Sequence, residues 1–207
     1  MTHRLGATTR FLLAASFLGT AAESMLVPIY APLSGRAGGS LMDTGIGLAL
    51  FSITTGIFVT TVGMTEWFRK NIRKLLVLGF ALAGLADLGF MVVHTRTELF
   101  AVQAVIGLSL GILNPAWDCL FSAVPDDSTQ KWTIWTGGIN LVTGVSALAS
   151  TFVLGRYSFN TVFGAMFVLD LLAASCSFFA MRGSAQIEET FREPPEEHFS
   201  PGVVEGG

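Results

Sequence analysis

Six apolar stretches, at about residues 9–31, 44–66, 74–94, 98–123, 132–155 and 159–181, leave this chain few ways to fold. Each is close to the ~20 residues that cross a ~30 Å hydrocarbon layer as a helix rising 1.5 Å per residue. In lipid a segment must satisfy its own backbone hydrogen bonds, so spans of this kind are helical. The sequence therefore predicts an all-α polytopic membrane protein, with six transmembrane helices forming one domain over residues 1–182. Composition agrees: 13% of the residues are charged, against roughly 25% in soluble domains. The charges are unevenly placed. Residues 1–183 carry 9 acidic and 11 basic side chains, whereas residues 184–207 carry 6 acidic and 1 basic. Residues 183–207, rich in Glu, Pro and Gly and without apolar periodicity, read as a disordered acidic cytoplasmic tail.

Orientation follows from the stretch Gly63–Lys74, GMTEWFRKNIRK, where Arg69, Lys70, Arg73 and Lys74 fall within six positions. It reads as a short cytoplasmic loop that makes the second and third helices antiparallel neighbours. With the N-terminus inside, the inner set of basic residues is Arg4, Arg10, Arg69, Lys70, Arg73, Lys74, Lys131 and Arg182, and the outer set is Arg36, Arg96 and Arg156. The excess of Lys and Arg belongs on the cytoplasmic side, so both termini are expected there, as an even number of spans requires. The first apolar run follows Arg4 and Arg10 as a secretory signal would. Its length and its Glu23, Pro28 and Pro32 make it a span instead.

Several function classes lose their footing. Cys119 and Cys176 sit in apolar runs and suggest neither a disulfide framework nor a metal site. His3, His94 and His198 are not spaced as metal ligands. No His/Asp or Ser/His constellation stands at bilayer depth, so an enzyme is not expected, nor a cofactor, nor a nucleic-acid partner.

The chemistry lies in four acids within apolar helices: Glu23, Asp87, Asp118 and Asp170. A central Asp costs about 2.5–3.5 kcal/mol on insertion scales, so each should face protein or water. Glu23 lies ~20 Å along the helix from Arg10, beyond the midplane. Asp118 is near the cytoplasmic end of the fourth helix, within reach of an ion pair with Arg73 or Lys74. Asp87 and Asp170 are close to the middle of helices three and six. The densest polar and aromatic cluster is Asn114-Pro115-Ala116-Trp117-Asp118, where Pro115 removes the hydrogen bond to the Gly111 carbonyl and could kink or break the helix. Gly107 with Gly111, and Ala147, Thr151 and Gly155 on helix five, suggest close helix packing. Trp67, Trp132 and Trp135 read as interfacial anchors.

Six helices, a basic loop between the second and third that begins Gly63–Glu66 and carries Arg69, Arg73 and Lys74, and a Gly-patterned fourth helix resemble one half of a major facilitator superfamily transporter, with Gln103 where the family's fourth helix often has Arg. The resemblance covers roughly residues 5–182. It implies two inverted three-helix repeats and an opposing half, supplied by a second copy or by a partner. It further implies that helices one and four line the cavity and three and six stand at the periphery. Glu23, Asn114, Trp117 and Asp118 are thus the expected solute- or proton-binding residues, and Glu66, Arg69, Arg73 and Lys74 the gating loop. Asp87 and Asp170 are expected as packing acids. The function so implied is transport of a small solute by alternating access, as a dimer of halves in a plasma membrane of the bacterial inner type. The competing reading is a non-transporting membrane scaffold or accessory subunit.

Overall fold

The computed structural model describes residues 5–126 and 128–182. Among them are six helices: α1 (Ala7–Arg36), α2 (Leu41–Val62), α3 (Glu66–Met91), α4 (Arg96–Ala123), α5 (Ser128–Arg156) and α6 (Phe159–Arg182). All six are long and apolar enough to cross a membrane. The acidic segment at 183–207 lies outside the described residues.

Side-chain caps fix where the chain turns. Ser40 and Asp43 form a reciprocal capping box at the start of α2, as Thr95 and Glu98 do at the start of α4. Thr65 caps α3, its hydroxyl accepting from the Phe68 N–H at 3.2 Å. This last cap corrects the sequence expectation for Gly63–Lys74. Only Gly63, Met64 and Thr65 connect α2 to α3, and the basic cluster occupies the first turns of α3. The reason is amphipathicity: Phe68, Ile72, Leu75 and Leu76 are buried on one side while Arg69, Lys70 and Lys74 are exposed on the other. Helix α4 also runs through Pro115, and α1 through Pro28 and Pro32, without interruption. Each Pro removes one ladder bond, and neighbouring helices hold the remainder.

Packing follows one rule. α1 packs on α5 and α6, α4 packs on α2 and α3, and α3 packs on α6. Exchanging α1 with α4, α2 with α5 and α3 with α6 leaves this set unchanged, so α1–α3 and α4–α6 are equivalent triplets. Consecutive short-linked helices alternate in direction, and an offset of three reverses it. The triplets are therefore inverted repeats, related by a pseudo-two-fold axis in the membrane plane.

Glycines permit the closest crossings. On α4, a Cβ at Gly107 would sit 2.6 Å from the Phe51 carbonyl oxygen, and one at Gly111 would collide with the Phe58 Cβ, both on α2. Thr55 Oγ1 donates to the Gly107 carbonyl (3.2 Å) across the same contact. The stripe Ala147, Thr151 and Gly155 behaves differently from expectation. Thr151 and Gly155 are exposed, and nothing in the described chain lies within 4 Å of a Cβ placed on Gly155.

The apolar core is split into two clusters at opposite ends of the bundle. One gathers Leu12, Leu76, Phe80, Trp117, Leu120 and Phe121. The other gathers Ile29, Leu33, Phe90, Leu99, Phe163 and Met166. Asp87 and Asp170 stand at the level between them.

Candidate functional site

A cavity of about 710 Å³ occupies that middle level, walled by all six helices. On α1 its lining residues include Ser16, Thr20, Glu23, Val27 and Tyr30, recurring every three or four positions as one helical face requires. On α4 they are Gln103, Ile106, Leu110, Leu113, Asn114, Trp117 and Asp118, again one stripe. The sequence-expected residues Glu23, Asn114, Trp117 and Asp118 thus share one chamber. Glu23, Asn114 and Asp118 are exposed on it, whereas Trp117 is buried in its wall.

Glu66, Arg69, Arg73 and Lys74 are not part of this chamber. They project from the first two turns of α3, where Lys70 Nζ lies 3.9 Å from Glu66 in a solvent-exposed i,i+4 pair. Such a pair contributes about 0.3–0.5 kcal/mol.

Asp87 and Asp170 pair within the half, as packing acids should, but stand on the cavity and not at the periphery. Both are buried (2% and 4% exposed), and both line the cavity. The close approach of α3 and α6 sets them opposite one another. Gly84 makes it possible, because a Cβ there would already be 3.2 Å from the Phe167 ring. The two carboxyls pair with each other within the half, and Glu23 is a neighbour of Asp170. The second Asp87 oxygen, Oδ2, has no hydrogen-bond partner. Tyr30 OH and Gln103 Nε2, also buried on the cavity wall, meet across the α1–α4 contact without a hydrogen bond of normal geometry.

The tryptophans of α5 also differ from the interfacial reading. Trp135 stacks on Trp117 (centroids 5.0 Å apart), and Trp117 stacks on Phe121 (4.4 Å). Trp132 meets the Phe121 ring edge-on at 4.9 Å. Trp117 Nε1 donates to the Leu12 carbonyl (3.1 Å), and Trp135 Nε1 donates to Ser16 Oγ (2.9 Å), tying α4 and α5 to α1. Trp67, 61% exposed at the start of α3, keeps the position of an interfacial anchor. Under the aromatic cluster, Lys131 is buried and caps the end of α4, its Nζ donating to the carbonyls of Phe121 and Val124 at 2.8 Å each. From the same connection Asp126 caps α1, its carboxylate accepting from the Gly6 N–H (3.0 Å) and from the Thr9 hydroxyl.

A chamber between two inverted three-helix repeats, lined chiefly by the first helix of each, is one half of a transporter core. The family model of the Major Facilitator Superfamily matches residues 12–205. The chain belongs to that superfamily. No curated protein matches its sequence. The 207 residues fit a single six-helix half of the facilitator fold, and members of the superfamily are membrane transporters. Among the described residues, no three His, Cys, Asp or Glu side chains are grouped to hold a metal ion.

The cavity residues that the motif reading missed are Tyr30, Gln103, Asp87, Asp170 and Trp135. Tyr30 was findable, because it stands seven residues from Glu23 on the same face. The Asp87–Asp170 pair depends on which helices cross, and neither helix carries that information alone.

Proposed function

We propose that this facilitator-family chain moves a small solute across a plasma membrane of the bacterial inner type by alternating access, with two six-helix halves facing one another across the cavity. The opposing half is a second copy of the chain. The observation that carries the reading is the contrast between helices. The spans of α1, α3, α4 and α6 bury a third or more of their residues within the bundle, while those of α2 and α5 bury 6% and 11%. α2 and α5 also flank the chamber, contributing Thr44, Leu48 and Phe51 on one side and Trp135, Ile139 and Thr143 on the other. Their outer faces are apolar and open: Ile46, Ile53 and Ile57 on α2, and Leu141, Val145, Leu148 and Phe152 on α5. Two inverted-repeat halves rocking about a central site need contact surfaces beside that site, and these two helices supply them. Glu23, Asn114, Trp117 and Asp118 are then the solute-facing residues. The exposed Arg69–Lys74 turns of α3 would sit at the cytoplasmic surface, with both chain ends on that side.

The test is cross-linking in native membranes. In a Cys119→Ser, Cys176→Ser background, Leu148→Cys should give a disulfide-linked pair of copies under mild oxidation, whereas a cysteine on the exposed face of α6, at Leu172, should not. A chain that remains monomeric with Leu148→Cys and bleaches in single steps in lipid would sink the paired-half mechanism in favour of a scaffold.

A further inference from the structure

The chemistry of the chamber is one-sided. Four carboxyl groups line it, from Glu23, Asp87, Asp118 and Asp170, and among the described residues no Lys, Arg or His does. An anionic solute would find no positive partner here. Two further observations point to a ligand and not to acids packed for their own sake. Asp87 Oδ2 is buried and unpartnered on the cavity wall, a state that costs free energy unless something else satisfies it. The wall also carries the half-buried Trp135, backed by Trp117 stacked on it, and elsewhere Phe51. Acid groups combined with aromatic side chains in a largely apolar chamber are the groups that attract a diffuse positive charge.

A metal ion fits the same groups poorly, since no three acid, His or Cys side chains converge at ligand spacing among the described residues. The volume, about 710 Å³, lies in the range of sites for drug-sized molecules and is far larger than a bare ion needs.

We propose that the cavity takes an amphipathic organic cation, a substituted ammonium or phosphonium, whose positive centre lies among the carboxyls of Glu23, Asp87 and Asp170 and whose apolar body lies against the Trp117–Trp135 stack. This rests on the transport reading for its purpose but not for its test. The free Asp87 oxygen and the Glu23 carboxyl, both on the cavity wall, are the acid groups placed to meet the positive centre.

The probe pair is tetraphenylphosphonium and tetraphenylborate, nearly identical in shape and opposite in charge. Equilibrium dialysis against the protein in nanodiscs, with empty nanodiscs as the blank, should give binding of the phosphonium roughly 10- to 30-fold tighter than of the borate. Glu23→Gln should cut phosphonium affinity on the order of tenfold while leaving the borate unchanged. Trp135→Leu should weaken the phosphonium more than the borate, because a ring face favours positive charge. Asp87→Asn risks misfolding at a buried position, so Glu23→Gln, exposed on the cavity, carries the test. Equal binding of the two ions, or Glu23→Gln without effect, overturns the proposal. Counterflow of phosphonium in vesicles separates the two readings: charge-selective binding without counterflow supports the cation site and removes transport, and uptake of solutes indifferent to charge does the reverse.

Discussion

Lys131 shows how a charge near the end of a span can be structural. Its ammonium lies over the Phe121 ring at 5.3 Å and donates to two carbonyls that α4 leaves without intrahelical partners. Positive charge at a helix C-terminus is favourable on its own, and burial strengthens it. Lys131→Met keeps the apolar stem and removes the donors. Purified in detergent, it should lose about 2–3 kcal/mol against the parent in denaturant unfolding, and a loss under about 0.5 kcal/mol would show that other donors or water satisfy α4. The same residue marks a limit of sequence reading. In a tally of inside and outside charges Lys131 counts as a topology signal, whereas in three dimensions it is a cap hidden beneath Trp132 and Phe121.

Among the helices, glycine separates inner faces from outer ones. Gly111 lets α4 rest directly on α2, while nothing lies within 4 Å of a Cβ at Gly144 on α5. Gly111→Ala should therefore lower stability by about 1–3 kcal/mol through forced separation of α2 and α4. Gly144→Ala should change it by less than about 1 kcal/mol in the same thermal unfolding series. If both behave alike, the α2–α4 crossing is looser than described. Element existence was legible from hydropathy, whereas the starts of α2, α3 and α4 lie two to eight residues before the apolar runs, at the caps Ser40, Thr65 and Thr95. The extension of α3 back to Glu66 was also legible in principle, from the spacing of Phe68, Ile72 and Leu76. Partners of each helix were not. The meeting of Asp87 with Asp170, the turning inward of Trp135, and the capping of α1 by Asp126 some 120 residues away all depend on tertiary crossings that periodicity leaves open. Glu23 and Asp118 could be singled out because a carboxylate in an apolar helix is conspicuous by itself, while Tyr30 and Gln103 resemble ordinary residues until a cavity gives them a face.

At the scale of the molecule, every extensive helix contact joins one triplet to the other: α1 to α5 and α6, α2 to α4, and α3 to α4 and α6. Fragments cut in the α3–α4 connection, residues 1–94 and 95–207, should each be unstable in membranes when expressed alone, and should associate and survive when expressed together. Pulse-chase decay of the separate and paired fragments measures this, and a long-lived 1–94 fragment would contradict it. Interlocking of this kind bears on biosynthesis. When Met91 has left the ribosome, three spans are ready to enter the bilayer, yet the surfaces meant to cover them have not been inserted. Until α4 to α6 arrive, Glu23 and Asp87 must be sheltered by water, by the insertion machinery or by a chaperone. The interval between synthesis of the third and sixth spans is the moment at which this protein is most vulnerable to quality-control proteolysis.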